Sequence, residues 1–364
     1  MKKYIYLFLY SVFLFSLFSC IETDNINKKN WNESNNPIYE ITDLFNFGRF
    51  PNIISNKNGK IITTWGKDSI FVKVSIDNGK IWSERKFISN GINGGGLTFD
   101  NLNNKTLFFI EDKHPPSSKI YQIESNDFFQ TFEKKDYTDL ISPNSIHMND
   151  HGIVLNYNSL NKGRIVIPSR NYSNSNSSGN WPNHYSNAII SDDGGKTWKS
   201  SEKFPVNGTG EGTIIELKNG NLIYNSRRHF SSIDEMETRF RNIATSYNGG
   251  VTWEDHYIDY FLPDGDKCRN YGLMGSLISI PTLENEILLF SNIDSDCGRK
   301  NGTIWFKSSN EENWNKKLIY EGPFGYSSIT YNINSITNEE EIFIFFESDG
   351  EGKLIKTNLA FLKQ

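Results

Sequence analysis

Ser191-Asp-Asp193-Gly-Gly195-Lys-Thr197-Trp198 is the stretch on which the fold reading turns, because the chain repeats it. Ser246-Tyr-Asn248-Gly-Gly250-Val-Thr252-Trp253 and Ser75-Ile-Asp77-Asn-Gly79-Lys-Ile-Trp82 share its pattern, Ser-x-Asp-x-Gly-x-Thr-Trp. Ser125-Asn-Asp127-Phe-Phe129-Gln-Thr131-Phe132 is a worn copy, and Ser308 to Trp314 a shorter one. Each position has a local reason. Asp and hydroxyl side chains bond turn backbone groups, Gly permits positive φ, and the closing aromatic covers a hairpin. A repeat at this spacing predicts stacked copies of one supersecondary unit.

Between copies the same order recurs: strand, tight turn, strand, longer loop, strand, repeat motif, strand. Asn58-Gly59, Asn103-Asn104 and Asn219-Gly220 are the clearest first turns. Units then start near Arg49, Gly95, His151, Gly212, Leu273 and Tyr326, and the last runs out at Gln364 after about three strands. The alternating segment 38–45 is suited to supply the missing outer strand and so close a ring and hide its edges. The expectation is an all-β, six-bladed β-propeller of four-stranded antiparallel blades over 38–364. A pair of β-sandwiches explains neither the repeat nor its period.

Composition agrees. The 364 residues are 37% hydrophobic and 14% aromatic, a balance suited to many short strands. The formal charge of −5 gives no sign of a nucleic-acid partner. Residues 1–20 differ in kind. Lys2 and Lys3 precede an apolar run that ends Leu17-Phe18-Ser19-Cys20, short for a membrane span and right for a signal peptide. Leu17 and Ser19 before Cys20 resemble a bacterial lipoprotein cleavage site; ordinary secretion and a signal anchor are the alternatives. Residues 21–37 read as a polar tether. The chain is therefore expected to be exported and held at a membrane by a lipid on Cys20, in the periplasm or on the cell surface. Cys268 and Cys297 then remain, as a disulfide or as two buried thiols.

A meander imposes sidedness. The repeat motifs and first turns fall on one rim; the starts of first strands and the loops between second and third strands fall on the other. That second rim collects Arg49, Asp68, Glu111, Asp112, His114, His147, Asp150, His151, Trp181, Glu211, Arg227, Arg299 and Tyr326. Arg170 and Arg228 also reach it. The Asn219-Gly220 hairpin brings Glu211 beside Arg227, an arrangement that a surface ion pair would equally explain.

The repeat motif is the Asp-box, and from here the chain resembles the sialidase-like β-propellers over about residues 47–348. Gly48-Arg49-Phe50-Pro51 resembles the family's Arg-Ile-Pro motif, whose arginine is the first of three that grip a substrate carboxylate. Glu211-Gly-Thr-Ile-Ile-Glu-Leu with Asn225-Ser-Arg227 is similar to the stretch bearing the catalytic glutamate and second arginine. Arg299-Lys-Asn-Gly-Thr-Ile-Trp looks like the third-arginine segment, and Gly325-Tyr326-Ser327-Ser328 like the nucleophile motif. The resemblance implies an exo-α-sialidase: Tyr326 as nucleophile, Glu211 as its base, Asp68 as general acid, and Arg49, Arg227 and Arg299 as the carboxylate grip. It implies a sialylated glycan as substrate, a monomer, and no cofactor.

The chemistry explains the residue types. Sialic acid carries a carboxylate on its anomeric carbon, which would repel a carboxylate nucleophile; sialidases use tyrosine instead. With a reference pKa of about 10, tyrosine needs a base and cationic neighbours. The chain departs from the family at the acid. Its loop is only Gly66-Lys67-Asp68-Ser69, without the arginine that accompanies the family's aspartate. Asp150, His147 and Glu111 are rival acids on the same rim, and a solvent-facing loop aspartate is the alternative for Asp68. A binder of acidic glycans and a glycosidase for another carboxylated sugar are the rival functions. No Cys/His metal spacing, phosphate-cradling loop or serine elbow is present.

Overall fold

The structure, a computed structural model, describes residues 36–56, 58–139, 141, 147, 150–230, 239–269, 271–334, 337 and 339–364. The leader, most of the tether and Cys20 lie outside the described residues.

Among the described residues twenty-three strands run in order. β1 is Tyr39–Phe45. A seven-stranded sheet follows: β2 Asn52–Ser55, β3 Ile61–Trp65, β4 Lys67–Ser75, β5 Lys86–Asp100, β6 Lys105–Glu111, β7 Ile120–Ser125 and β8 Glu133–Asp136. Next comes a sheet of β9 Ile153–Val154, β10 Ile165–Asn171, β11 Tyr185–Ser191 and β12 Lys199–Ser200. The third sheet holds β13 Thr209–Glu216, β14 Leu222–Arg228, β15 Phe240–Ser246 and β16 Glu254–Pro263. The fourth holds β17 Ser276–Pro281, β18 Glu286–Ile293, β19 Lys300–Ser308 and β20 Asn315–Pro323. The last joins β21 Ser327–Ile333, β22 Glu340–Ser348 and β23 Glu351–Thr357 to β1, in the order β1-β23-β22-β21.

Neighbouring strands pair antiparallel throughout, and the fold is an all-β propeller. Its closure follows the expectation for segment 38–45: Tyr39 pairs with Thr357 and Phe45 with Gly352. The sheet count departs from it. Six separate four-stranded sheets were expected, and among the described residues there are four, plus the seven-stranded sheet. The cause is β5, which does not break. Its first part pairs with β4 from Lys86 to Ile92, and from Ile92 to Asp100 it pairs with β6. Gly91, Gly95 and Gly96, at φ 134°, 81° and 69°, let the strand bend without ending.

The inner strands form a closed circuit in which β2, β5, β9, β13, β17, β21 and again β2 are successive neighbours. The core lies between neighbouring sheets. Leu107 and Phe109 meet Ile165, Ile167 and Ile189, and Val166 and Ala188 meet Ile214, Leu222 and Tyr224. Leu354 and Phe345 meet Ile53 and Trp65 across the closure. Such strands are buried on both faces, so they read as runs rather than alternations; each large side chain contributes ~1.5–3 kcal/mol.

The Asp-boxes staple these interfaces. Asp193 Oδ1 accepts from the backbone of Lys196 and Thr197 at 3.0 and 2.9 Å, and Gly195 N donates to Ser191 Oγ at 2.8 Å. Trp198 Nε1 reaches Gln122 in the preceding sheet at 2.8 Å, and Trp253 Nε1 reaches Ser201 at 3.1 Å.

Candidate functional site

On the rim opposite the boxes, Tyr326 sits just before β21, Arg49 just before β2, Arg299 just before β19, and Arg227 near the end of β14. Glu211 lies in a bulge. Thr209 pairs with Arg228 and Gly212 with Ser226, so Glu211 faces Arg227 out of register. A bulge re-aims a side chain that regular pairing would point elsewhere.

The Tyr326 hydroxyl donates to Glu211 Oε1 at 2.9 Å and accepts from Arg227 Nη1 at 2.8 Å. Arg227 and Glu211 form a buried ion pair. The guanidinium carbons of Arg49, Arg299 and Arg227 lie 5.2, 5.3 and 5.9 Å from the Tyr326 ring centroid. Burial alone would raise the phenol pKa, but Arg227, Arg299 and Arg49 outweigh it and hold the phenol below its ordinary value. The site thus joins a base, an acidified phenol and three cations. A cleft of about 210 Å³ opens beside Arg49, Arg299 and Glu347.

Glu347, near the end of β22, is a member of the site that sequence reasoning missed. Its carboxylate takes Arg49 Nε and Nη2 at 3.2 Å each, Phe50 N at 2.9 Å and Tyr326 N at 3.4 Å. It therefore ties the first arginine to the tyrosine, and it holds Phe50 in a left-handed conformation, φ 65°. The only sequence signal for it is an acid at a strand end before Asp349-Gly350.

Arg170, which the strand order places on this rim, stands with His184 and His229, two residues that sequence reasoning missed. Arg170 is fully buried, with Nη2 2.6 Å from His184 Nδ1 and Nη1 3.9 Å from Glu211 Oε1. Arg228 differs. It turns its Nε to Phe230 O at 2.9 Å, and its backbone N–H bonds Asp264.

The acid candidates separate. Asp68 is exposed in β4 at φ 75°, and among the described residues it makes no hydrogen bond to the tyrosine cluster. Glu111 is fully buried and bonds His147 Nδ1 at 2.8 Å. Burial, then the Asp112 charge, pushes the Glu111 carboxyl well up, while burial followed by Arg170, Arg49 and Arg227 pushes His147 down to about 3. His114 is exposed, with its ring 5.3 Å from that of His147.

Asp150 is an axle. Its Oδ1 takes Ser328 Oγ at 2.8 Å and His151 Nδ1 at 3.0 Å, its Oδ2 takes Ser276 Oγ at 2.7 Å, and its carbonyl takes Gly96 N at 2.9 Å. Burial opposes ionisation, but His151 and the hydroxyl donors hold this carboxyl below its usual range. Its side-chain bonds thus join His151 to serines of two other sheets.

Cys268 and Cys297 are disulfide-bonded, with Cα atoms 5.2 Å apart, and the bridge ties the loop carrying Arg299 to the segment after β16. Trp181 stands on the 3₁₀ turn Ser178–Asn183, edge-on to His229 and Tyr271 at 4.7 and 5.7 Å. No group of metal-ligating side chains forms among the described residues. A groove of about 700 Å³ lies on the box rim between Trp82 and Phe128, away from this chemistry.

Residues 63–337 match the BNR repeat-like domain family. A sialidase of Micromonospora viridifaciens is 30% identical over 146 residues, 39% of this chain and 21% of that protein. The chain thus spans about a fifth of that relative's length. A Hadza microbial sialidase superposes with a TM-score of 0.67 at 20% identity, covering 86% of this chain and 66% of the other. The intramolecular trans-sialidase from Ruminococcus gnavus, solved with oseltamivir carboxylate, gives 0.64 at 14% identity, over 88% and 96%. At such identities the superpositions speak for the fold. With three-quarters of its length inside the family match and the Asp-boxes in place, the chain belongs to the BNR repeat-like domain family, built on the β-propeller of the sialidases.

Proposed function

We propose that the protein is a retaining exo-α-sialidase that removes terminal sialic acid from glycans. The observation that carries this reading is the Tyr326 hydroxyl, held between Glu211 Oε1 and Arg227 Nη1 under three guanidiniums. In the first step the Tyr326 oxygen attacks the anomeric carbon and its proton passes to Glu211. The bond to the leaving oxygen breaks, and that oxygen takes a proton from Asp68. In the second step Asp68, now a carboxylate, takes a proton from water, which attacks the glycosyl-tyrosine; the phenolate leaves and recovers its proton from Glu211. Arg49, Arg227 and Arg299 grip the sugar carboxylate and favour the ionised phenol.

The exposed, unbonded position of Asp68 favours a second reading, a propeller that binds acidic glycans without turnover. Sialyllactose and an activated aryl sialoside separate the two, with products read by mass spectrometry. Tyr326→Phe and Glu211→Gln are expected to suppress both substrates. Asp68→Asn is expected to slow sialyllactose by ~10²–10⁴-fold and the aryl sialoside far less, since a good leaving group needs little acid help. Binding of sialyllactose without product from wild type supports the binder. Product from sialyllactose within a few-fold of wild type in Asp68→Asn removes Asp68 from the mechanism.

In the same reading β5 serves two blades, as outer strand of one and inner strand of the next, so that the ring counts six. Residues 1–20 are taken as a lipoprotein-type leader, Cys20 as the lipid anchor, and the protein as an exported monomer. The Cys268–Cys297 disulfide supports an oxidising compartment. Partition into detergent that is lost on Cys20→Ala is expected; a soluble wild-type product without an acylated Cys20 overturns the anchor.

A further inference from the structure

His229 directly follows β14, two residues beyond Arg227. Its ring lies against Gly210, the neighbour of Glu211: a Cβ on Gly210 would stand 3.3 Å from both Cγ and Nδ1 of His229. Glycine is thus what lets the imidazole sit flush against the backbone that carries Glu211. Rings flank it, Trp181 edge-on at 4.7 Å and His184 stacked at 6.2 Å. His229 is only 6% exposed, yet neither ring nitrogen has a hydrogen-bond partner among the described residues.

His184 shows what a satisfied histidine looks like here. Its Nδ1 accepts from Arg170 Nη2 at 2.6 Å, and its Nε2 donates to Ser175 O at 2.9 Å. Arg170 Nε, by contrast, is buried and, among the described residues, unpartnered like the His229 nitrogens. Unmet polar atoms therefore gather on the side of Glu211 that Arg170 occupies. Buried polar atoms are met in almost all proteins, and ones left unmet beside a charged site call for a ligand or water. A neutral imidazole presents one N–H and one bare nitrogen. The bare nitrogen would repel an anion, whereas a hydroxyl or an amide can satisfy either one.

We propose that His229 is a specificity-determining residue, hydrogen-bonding a neutral hydroxyl or amide substituent of the carboxylated sugar bound beside Glu211. This rests on the sugar-acid reading of the site. N-acetylneuraminic acid offers two sources of that chemistry, its acetamido group and its polyol tail.

The test is calorimetric binding of three free sugars to the full chain. They are N-acetylneuraminic acid, its analogue with the polyol shortened by periodate and borohydride, and its analogue with a hydroxyl in place of the acetamido group. Wild type is expected to bind one analogue about tenfold or more weakly than the parent, the scale of a lost buried hydrogen bond. His229→Phe, which keeps the ring and removes both nitrogens, is expected to weaken the parent similarly and to erase that discrimination. The analogue whose penalty vanishes names the group that His229 holds. His229→Gln is expected to restore part of it.

Equal affinity in His229→Phe and wild type means the nitrogens meet solvent only, and overturns the proposal. An equal loss for all three sugars means packing only, and also overturns it. Should His229→Phe not fold, His229→Met carries the same comparison. No binding of any sugar to wild type overturns this proposal and the sugar-acid reading together. Discrimination by His229 without turnover of sialyllactose sinks the hydrolase reading alone.

Discussion

The two rims differ in what closes them. On the box rim each turn closes locally, Asp193 taking Lys196 and Thr197, and Asn248 taking Val251 and Thr252 at 3.1 and 3.0 Å, while the box tryptophans reach across to the neighbouring sheet. On the site rim, partners are remote in sequence. Arg227 and Tyr326 are 99 residues apart, Tyr326 and Glu211 115, and Arg49 and Glu347 298. Among the described residues the site rim also leaves buried atoms unmet, Glu111 Oε1, Arg170 Nε, Arg227 Nε and both His229 nitrogens, while the box rim leaves Asn332 Oδ1 and Glu341 Oε2. Those of the site rim belong to the residues around Glu211 and Tyr326.

Asp150 tests whether remote bonds on the inner axis carry stability rather than chemistry. Asp150→Ala strips the partners of Ser276, Ser328 and His151 at once, and is expected to cost ~3–5 kcal/mol in urea unfolding. Asp150→Asn keeps part of the network and should cost less. A folded Asp150→Ala protein of wild-type stability whose turnover alone collapsed would keep Asp150 among the acid candidates.

pH sharpens the same contrast. Burial, then Arg170, pushes His184 down to about 4, and burial with Arg170 and Arg227 pushes His229 well below its ordinary value. In the unfolded chain both take protons near ~6.5. Below that the unfolded state binds more protons, so stability is lost as pH falls from ~6.5 toward the folded values. The loss between about pH 7 and 5.5 is expected to be ~2.5 kcal/mol for the two together, and His229→Phe should remove about half of it. A flat profile from pH 7 to 5.5 would mean that these histidines are not held neutral.

Legibility follows the same line. Asp193, Asn248 and their relatives are readable because their partners lie within four residues, inside any short window of sequence. Tyr326, Glu211, Arg227, Arg49 and Arg299 are readable as types, because a run of neighbours marks each one, and the strand order puts them on one rim. Glu347 and His229 carry no such run, and only the closed circuit of inner strands brings them in; Arg170 was legible on the rim but not in its contacts. The partners of Asp150 escaped for the complementary reason. Its position on the rim was legible, but the two serines that saturate it, Ser276 and Ser328, lie 126 and 178 residues away. The unbroken β5 escaped because glycines at 91–96 read as a boundary, whereas here they bend a continuous strand.

On the box rim a single loss should stay small. Asp193→Ala removes the acceptor of two backbone N–H groups in an exposed turn, comparable to losing a helix cap, so ~1 kcal/mol is expected in urea unfolding, with sialoside kinetics unchanged. A change in kinetics would show that the rims communicate.

The smallest effect belongs to the worn box. Where the other copies place Gly194 and Gly195 at φ 72° and 82°, or Asn78 and Gly79 at 60° and 77°, this copy places Phe128 and Phe129 at 57° and 62°. A phenylalanine held there is strained by ~1 kcal/mol or more. Phe129 is offset by burial, since it is 2% exposed with its ring 5.7 Å from that of Phe108. Phe128 is only half-buried; its ring stacks on Phe99 at 6.0 Å and lies 3.8 Å from Lys60 Nζ. Phe128→Asn takes the residue that Asn78 already provides, relieving the strain but giving up a partly covered ring and an exposed cation–π contact of ~0.5–1 kcal/mol. The terms oppose, and a net change under ~1 kcal/mol in either direction is expected. Phe129→Asn, losing a core ring, should cost ~3 kcal/mol or more. If both substitutions cost alike, the left-handed pair is held by cross-sheet packing rather than by its own turn, and the box rim is not the locally sufficient structure that sets it apart from the site.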